Sequence, residues 1–152
     1  MRRQRYTGEE TNRVQFSFPS LSVNESTARA CVAVVCAQMN PRATELADVK
    51  CAVSEAVTNA IVHAYKNRIG MIQIRVTLYS DRHIKVEIRD RGCGIPDVEK
   101  AMEPLYTTGG EDRSGMGFSI MACFTDKLRV RSTPGKGTTV VMRKRFSTRL
   151  KL

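Results

Sequence analysis

The chain has 152 residues, is 41% hydrophobic and carries a formal charge of +10 with a pI near 9.8. That length supports one ordinary core and excludes two comfortable domains, and no apolar run approaches the ~20 residues of a bilayer span, so a single cytoplasmic domain with no membrane partner is expected. The basic balance favours acidic partners such as nucleotides, nucleic acid or an acidic protein face.

Residues 1–12 show no periodicity and read as a disordered basic extension. Val14, Phe16 and Phe18 then alternate with polar residues up to Pro19, which predicts a short edge strand. Ser22 with Glu25 forms a capping-box pattern, and Val23, Ala30, Val34, Val35 and Ala37 carry a helix to about Met39, where Asn40 and Pro41 stop it. A second helix begins near Ala43 or Thr44 and continues through Leu46, Val49, Ala52, Val53, Ala56, Val57, Ala60, Ile61 and Ala64 to about Lys66. Two clean strands follow: Ile72, Ile74, Val76 and Leu78, then a turn at residues 80–82, then Ile84, Val86 and Ile88. They predict an antiparallel hairpin with one buried face.

A short helix is expected from Asp97 to Met102. Residues 103–113, EPLYTTGGEDR, read as a glycine-bearing loop, and a helix with Phe118, Ile120, Met121 and Phe124 follows. Leu128 and Val130, a turn at 134–137, and either Thr139 and Val141 or Val140 and Met142 make a second hairpin that ends near Phe146. From residue 126 onward nine basic residues stand against one acid. They alternate with apolar residues and lack interleaved aromatics, which predicts a solvated strand face with a basic tail at 147–152 and no direct nucleic-acid partner. The five cysteines are scattered and odd in number, with no C-x-x-C spacing, so reduced and mostly buried thiols are expected rather than a zinc site or a disulfide framework.

The chemistry concentrates in residues 54–65, SEAVTNAIVHAY. Glu55, Asn59 and His63 recur at i, i+4 and i+8, a spacing that stacks side chains along one helical stripe. A neutral carboxamide oxygen suits a hard cation already carrying phosphate oxygens, and a carboxylate one turn away can take a proton from an attacking hydroxyl. The same residues could equally form an ordinary solvated helix face, so neighbouring motifs decide. Asp90 at a strand end, followed by Gly92 and Gly94, can accept a hydrogen bond from an exocyclic amine such as that of adenine while the glycines admit a close ligand. Ser114, Gly115, Met116 and Gly117 open a helix whose unpaired N–H groups suit phosphate, and the preceding loop could fold over it as a lid.

Together, E-x-x-x-N-x-x-x-H on a helix, D-x-G-x-G after a strand, G-x-G at a helix start and G-K-G-T-T entering a last strand resemble the GHKL ATPase superfamily over residues 13–146. The resemblance implies the Bergerat fold, an α/β two-layer sandwich with a mixed, mostly antiparallel sheet and helices on one face, binding ATP or ADP with Mg2+. It implies Asn59 as the Mg2+ ligand and Asp90 as the adenine-reading acid. Gly92 and Gly94 would lie against base and sugar, Gly115 and Gly117 against the phosphates, and Thr138 with Thr139 behind the adenine. Thr107 and Thr108 fall in the lid. Length leaves the stand-alone branch of small anti-sigma factors that are also protein serine kinases, which SEAVTNAIVHAY, DRGCGIPD, PLYTT and RSGMGFSIM resemble. That branch implies a sigma factor as partner, an anti-anti-sigma protein as serine phosphoacceptor, and a homodimer to which the first strand contributes. Glu55 would be the general base, Arg113 would reach the γ-phosphate, Arg29 would help engage a protein partner, and His63 would be structural. A sigma-binding module that uses nucleotide only to set its shape, or the equivalent kinase of a sister stress-response system, are the alternatives. The lid departs from the family pattern at Gly109 and Gly110.

Overall fold

The computed structural model describes residues 5–103 and 116–148. Its elements are β1 (Glu10–Pro19), α1 (Asn24–Ala37), α2 (Ala43–Asn59) with a π-helical turn (Ala60–Ala64) at its end, β2 (Met71–Tyr79), β3 (His83–Asp90), a one-turn α3 (Val98–Ala101), α4 (Gly117–Phe124), β4 (Lys127–Thr133) and β5 (Gly137–Arg145). The five strands form one sheet in the order β1-β2-β3-β5-β4, and every pairing among the described residues is antiparallel, in keeping with the mostly antiparallel sheet expected.

Register follows from the alternation of side chains. Phe16 faces Ile74, which faces Ile88, which faces Val140, placing one apolar row across four strands on the helix side. Ile72, Ile74 and Val76 are fully buried there, in one core cluster with Val53 and Val57 of α2 and Val32 of α1. Each such side chain contributes on the order of 1.5–3 kcal/mol by leaving water. The β5 alternatives are settled by this row: Val140 and Met142 are buried and Thr139 and Val141 face the other side. Among the described residues no helix is long and apolar enough to cross a membrane.

Several expectations are corrected. β1 starts at Glu10, because the residues before it are held by the β2–β3 turn: Thr7 N–H donates to Asp81 Oδ2 (3.2 Å) and Glu9 N–H to Ser80 Oγ (2.9 Å). Residues 5–12, read from sequence as part of a disordered extension, therefore carry defined contacts. Ser22 does not cap α1. Its carbonyl receives the Glu25 N–H, while the Glu25 carboxylate accepts from Ser54 Oγ and pairs with Arg29 at 3.7 Å. The buried stripe of α1 is Ala28, Val32, Val35 and Cys36, whereas Val23 and Val34 are 76% and 69% exposed. With small apolar residues all round this helix, its phase could not be read from spacing alone. The same ambiguity affects the thiols: only Cys36 is buried, and Cys31, Cys51, Cys93 and Cys123 are exposed.

Candidate functional site

An open cavity of about 860 Å³ lies between the helix layer and the β3–β5 end of the sheet, within the size range of small-molecule sites. One wall is the end of α2 and its π turn, with Glu55, Asn59 and His63 among the lining residues. The helix is α-helical through Asn59, so Glu55 and Asn59 sit one turn apart as their spacing predicts. The chain then changes to i→i+5 bonding, which adds a residue to the turn and re-aims everything after it. His63 still lines the cavity, but on the widened turn rather than on a continuous α-helical stripe.

That turn also receives the loop after β3. Cys93 N–H donates to Ala64 O (3.0 Å) and Cys93 Sγ to His63 O (3.1 Å). Gly92 is required here because a Cβ would stand 2.2 Å from Ala64 O. Tyr65, 4% exposed, closes the junction: its hydroxyl donates to Met71 O and accepts from Arg91 N–H, both at 2.7 Å. Gly94 has φ +74°, and its amide plane passes so close to the β4–β5 hairpin that a Cβ would lie 2.3 Å from Thr133 O. These glycines thus serve protein packing. Gly94 lines the cavity and Gly92 is not among the lining residues.

Asp90 is 7% exposed, and its Oδ1 accepts from Gly92 N–H (2.9 Å) and Thr138 N–H (3.2 Å). Both bonds fall on one oxygen. Burial pushes the Asp90 carboxyl above the usual range, with the two backbone donors pulling the other way. Thr138 stands beside it, its hydroxyl 2.8 Å from Ser132 Oγ. Ser132 Oγ in turn accepts from Ile95 N–H (2.7 Å) and donates to Gly137 O (3.1 Å), using its full hydrogen-bonding capacity.

The facing wall begins with Gly117 at the first position of α4. A methyl group there would lie 3.2 Å from both terminal atoms of the Asn59 carboxamide and 3.3 Å from Oε2 of Glu55. The bare glycine therefore lets α4 approach the two groups that the sequence singled out. Phe118, Ile88, Ile95 and Val140 supply apolar lining, and Lys66 and Lys100 add cations that sequence reasoning did not find. Ser132 was also missed, although a polar residue in phase with Leu128 and Val130 on β4 was the signal that could have revealed it.

Glu55, Asn59, Asp90, Gly94, Gly117 and Thr138 thus share one cavity, although the chain separates the first from the last by most of the domain. Thr139 does not join them. It follows Thr138 on a strand, so it projects to the opposite sheet face, paired across from Arg89 and Arg131. Met116 flanks α4 without lining the cavity and is 38% exposed. Thr107, Thr108, Arg113, Ser114 and Gly115 lie outside the described residues, as do Gly109 and Gly110.

An antiparallel sheet roofed by helices over a cavity with these groups defines a nucleotide-binding ATPase module, and a family model described as "Histidine kinase-like ATPase domain" matches residues 18–144. The chain is 55% identical over 137 residues to the anti-sigma F factor of Caldanaerobacter subterraneus subsp. tengcongensis, covering 90% of this chain and 95% of that one. It is 50% identical over 137 residues to the anti-sigma F factor of Pasteuria penetrans, covering 89% and 91%. The chain belongs to the anti-sigma F factor branch of the histidine kinase-like ATPase family. Solved structures agree at the level of fold. The RsbU and RsbW domains of Rv1364c from Mycobacterium tuberculosis superpose with a TM-score of 0.68 at 20% identity, over 91% of this chain and 34% of that one. The histidine kinase domain of Erythrobacter litoralis EL346 gives 0.56 at 22% identity, over 80% and 61%.

Proposed function

We propose that the protein is a cytoplasmic anti-sigma factor that binds and silences a sporulation sigma factor and, with MgATP, phosphorylates a serine on an anti-anti-sigma protein. The observation that carries this reading is the single cavity onto which a carboxylate, a carboxamide and a buried acid converge. Relatives of about half identical sequence named anti-sigma F factor support the partner assignment.

The residues fit a nucleotide with its metal. Asn59 offers a neutral oxygen beside the close approach of α4, suited to Mg2+ that already carries phosphate oxygens. Bound there, the ion would offset charge on the phosphates. Asp90, with Oδ1 occupied by two backbone donors, keeps its second oxygen for the exocyclic amine of adenine. Thr138 and Gly94 border that end, and the N-terminus of α4 at Gly117 suits the phosphates. Glu55 then stands as base for the serine hydroxyl, and Arg113, with Thr107, Thr108, Ser114 and Gly115, completes the phosphate end in this reading. A homodimer with β1 at its interface, and Arg29 as a partner contact, belong to the same proposal.

The test is transfer of labelled phosphate from MgATP to a purified anti-anti-sigma protein. Glu55→Gln should abolish serine labelling and leave nucleotide binding within about twofold. Loss of nucleotide binding instead would remove Glu55 from the role of base, and stable nucleotide binding by the wild type with no transfer to any partner would reduce the protein to a binding module.

A further inference from the structure

The face of the sheet turned away from the helices holds an arrangement that reading one strand at a time does not reveal. Pairing places Arg89 of β3 across Thr139 from Arg131 of β4, with Arg129 and Lys127 further along β4 on the same side. All four are exposed, and none has an ion-pair partner among the described residues. Elsewhere on this face the cations are engaged: Arg143, across from Lys127, donates to His83 Nε2 at 2.9 Å and lies over the Tyr6 and Tyr79 rings, and the others meet carboxylates. Arg13 pairs with Glu10 at 2.6 Å, Arg75 and Lys85 share Glu87 at 3.9 and 3.5 Å, and Arg145 holds Asp81 at 2.7 Å. Uncompensated charge therefore collects in one place, with cations about 7 Å apart along β4 and about 10 Å across to β3.

Against the expectation from sequence of no direct nucleic-acid partner, and on the ground that pairing gathers these cations on one half-face, we propose that this β3–β4 half of the outer sheet face binds the phosphate backbone of double-stranded DNA without reading sequence. A second copy of the chain is disfavoured because the same face would set four cations against four. An acidic protein surface would need an apolar anchor, and none of the exposed large apolar side chains lies on β3, β4 or β5. Three of the four cations are arginines, whose planar fork matches phosphate oxygens. The half-face offers no aromatic platform for unstacked bases, since Tyr79 and Tyr6, at the far end, are already packed against His83 with ring centroids 4.0 and 4.6 Å away. Thr138 and Asp90 point to the helix side, so this surface is separate from the nucleotide cavity.

Fluorescence anisotropy of a labelled duplex of mixed sequence tests the proposal. Four phosphate contacts give a slope of log affinity against log salt of about −3.6, so raising salt from about 50 to about 200 mM should weaken binding by about 150-fold. Arg129→Gln with Arg131→Gln should halve that slope, reducing the loss to about 12-fold, and should leave nucleotide binding unchanged. Lys50→Gln, an exposed cation on the helix side, should keep the wild-type slope. No binding at about 50 mM salt, a slope the double variant does not change, an equal loss in Lys50→Gln, or equally effective competition by polyglutamate of matched charge would each overturn it.

Discussion

Asp90→Asn separates the chemistry of the nucleotide cavity from its architecture. An asparagine can keep its carboxamide oxygen on Gly92 N–H and Thr138 N–H, so the scaffold of the strand end survives. What changes is the other atom, which turns from an acceptor into a donor and, under the proposed adenine assignment, would meet the adenine amine donor to donor. A hydrogen bond to a charged acceptor is worth about 1.5–3 kcal/mol, so nucleotide affinity should fall by about 10- to 150-fold. Folding stability should move the opposite way. Burial raises the Asp90 carboxyl, which means that the ionised form is disfavoured in the fold, and removing the charge should hold or raise the unfolding midpoint. Titration with a fluorescent adenine nucleotide, paired with urea denaturation of the nucleotide-free protein, reads both quantities. Unchanged affinity would refute the adenine assignment. A stability loss of about 2 kcal/mol or more would show instead that the charge itself holds the loop.

Tyr65→Phe removes the hydroxyl that joins Met71 O to Arg91 N–H, and denaturation should show a loss of about 2 kcal/mol from the two stranded backbone groups. Gly137→Ala is expected to cost roughly 2–6 kcal/mol in the same assay, because φ is +108° and a Cβ would stand 2.2 Å from Asp90 O. Stability should also depend on His83. Burial lowers its pKa, and its Nε2 accepts from Arg143 Nη1 at 2.9 Å while Nδ1–H donates to Asp81. The unfolded chain therefore binds a proton that the native state resists. Stability should be full above about pH 6.5 and fall as pH drops below it, and denaturation series of wild type and His83→Gln at acid and neutral pH should show a flatter dependence in the variant.

Much of this was legible in the chain. Alternation in β2 and β3 is strict, so the hairpin, its turn and its buried face could be read directly, and the spacing of Glu55 and Asn59 holds because α2 remains regular through Asn59. The misreadings have specific causes. The π turn has no local sequence pattern, and its last carbonyl, Ala64 O, receives the Cys93 N–H from a loop distant in sequence. Ser22 with Glu25 matches a capping box, yet Ser54 and Arg29 compete for the same carboxylate. Gly92 and Gly94 were correctly marked as places of close approach, but what approaches is Ala64 and Thr133. Thr138 and Thr139 are adjacent in sequence and opposite in space, and strand geometry alone decides which one reaches the cavity.

The bonds from Cys93 to Ala64 and His63 make the end of α2, the loop after β3 and the hairpin tip at Gly135 a single welded piece, since Gly135 N–H also closes on Cys93 O at 2.7 Å. The α3 side is built otherwise: one turn of helix, no buried side chain, anchored by Asp97 capping Lys100 N–H. Compliance around the cavity is therefore lopsided. Of the two walls, the one at α3 is the less tied to the core, and the one at residues 91–94 is cross-linked to both the helix layer and the hairpin.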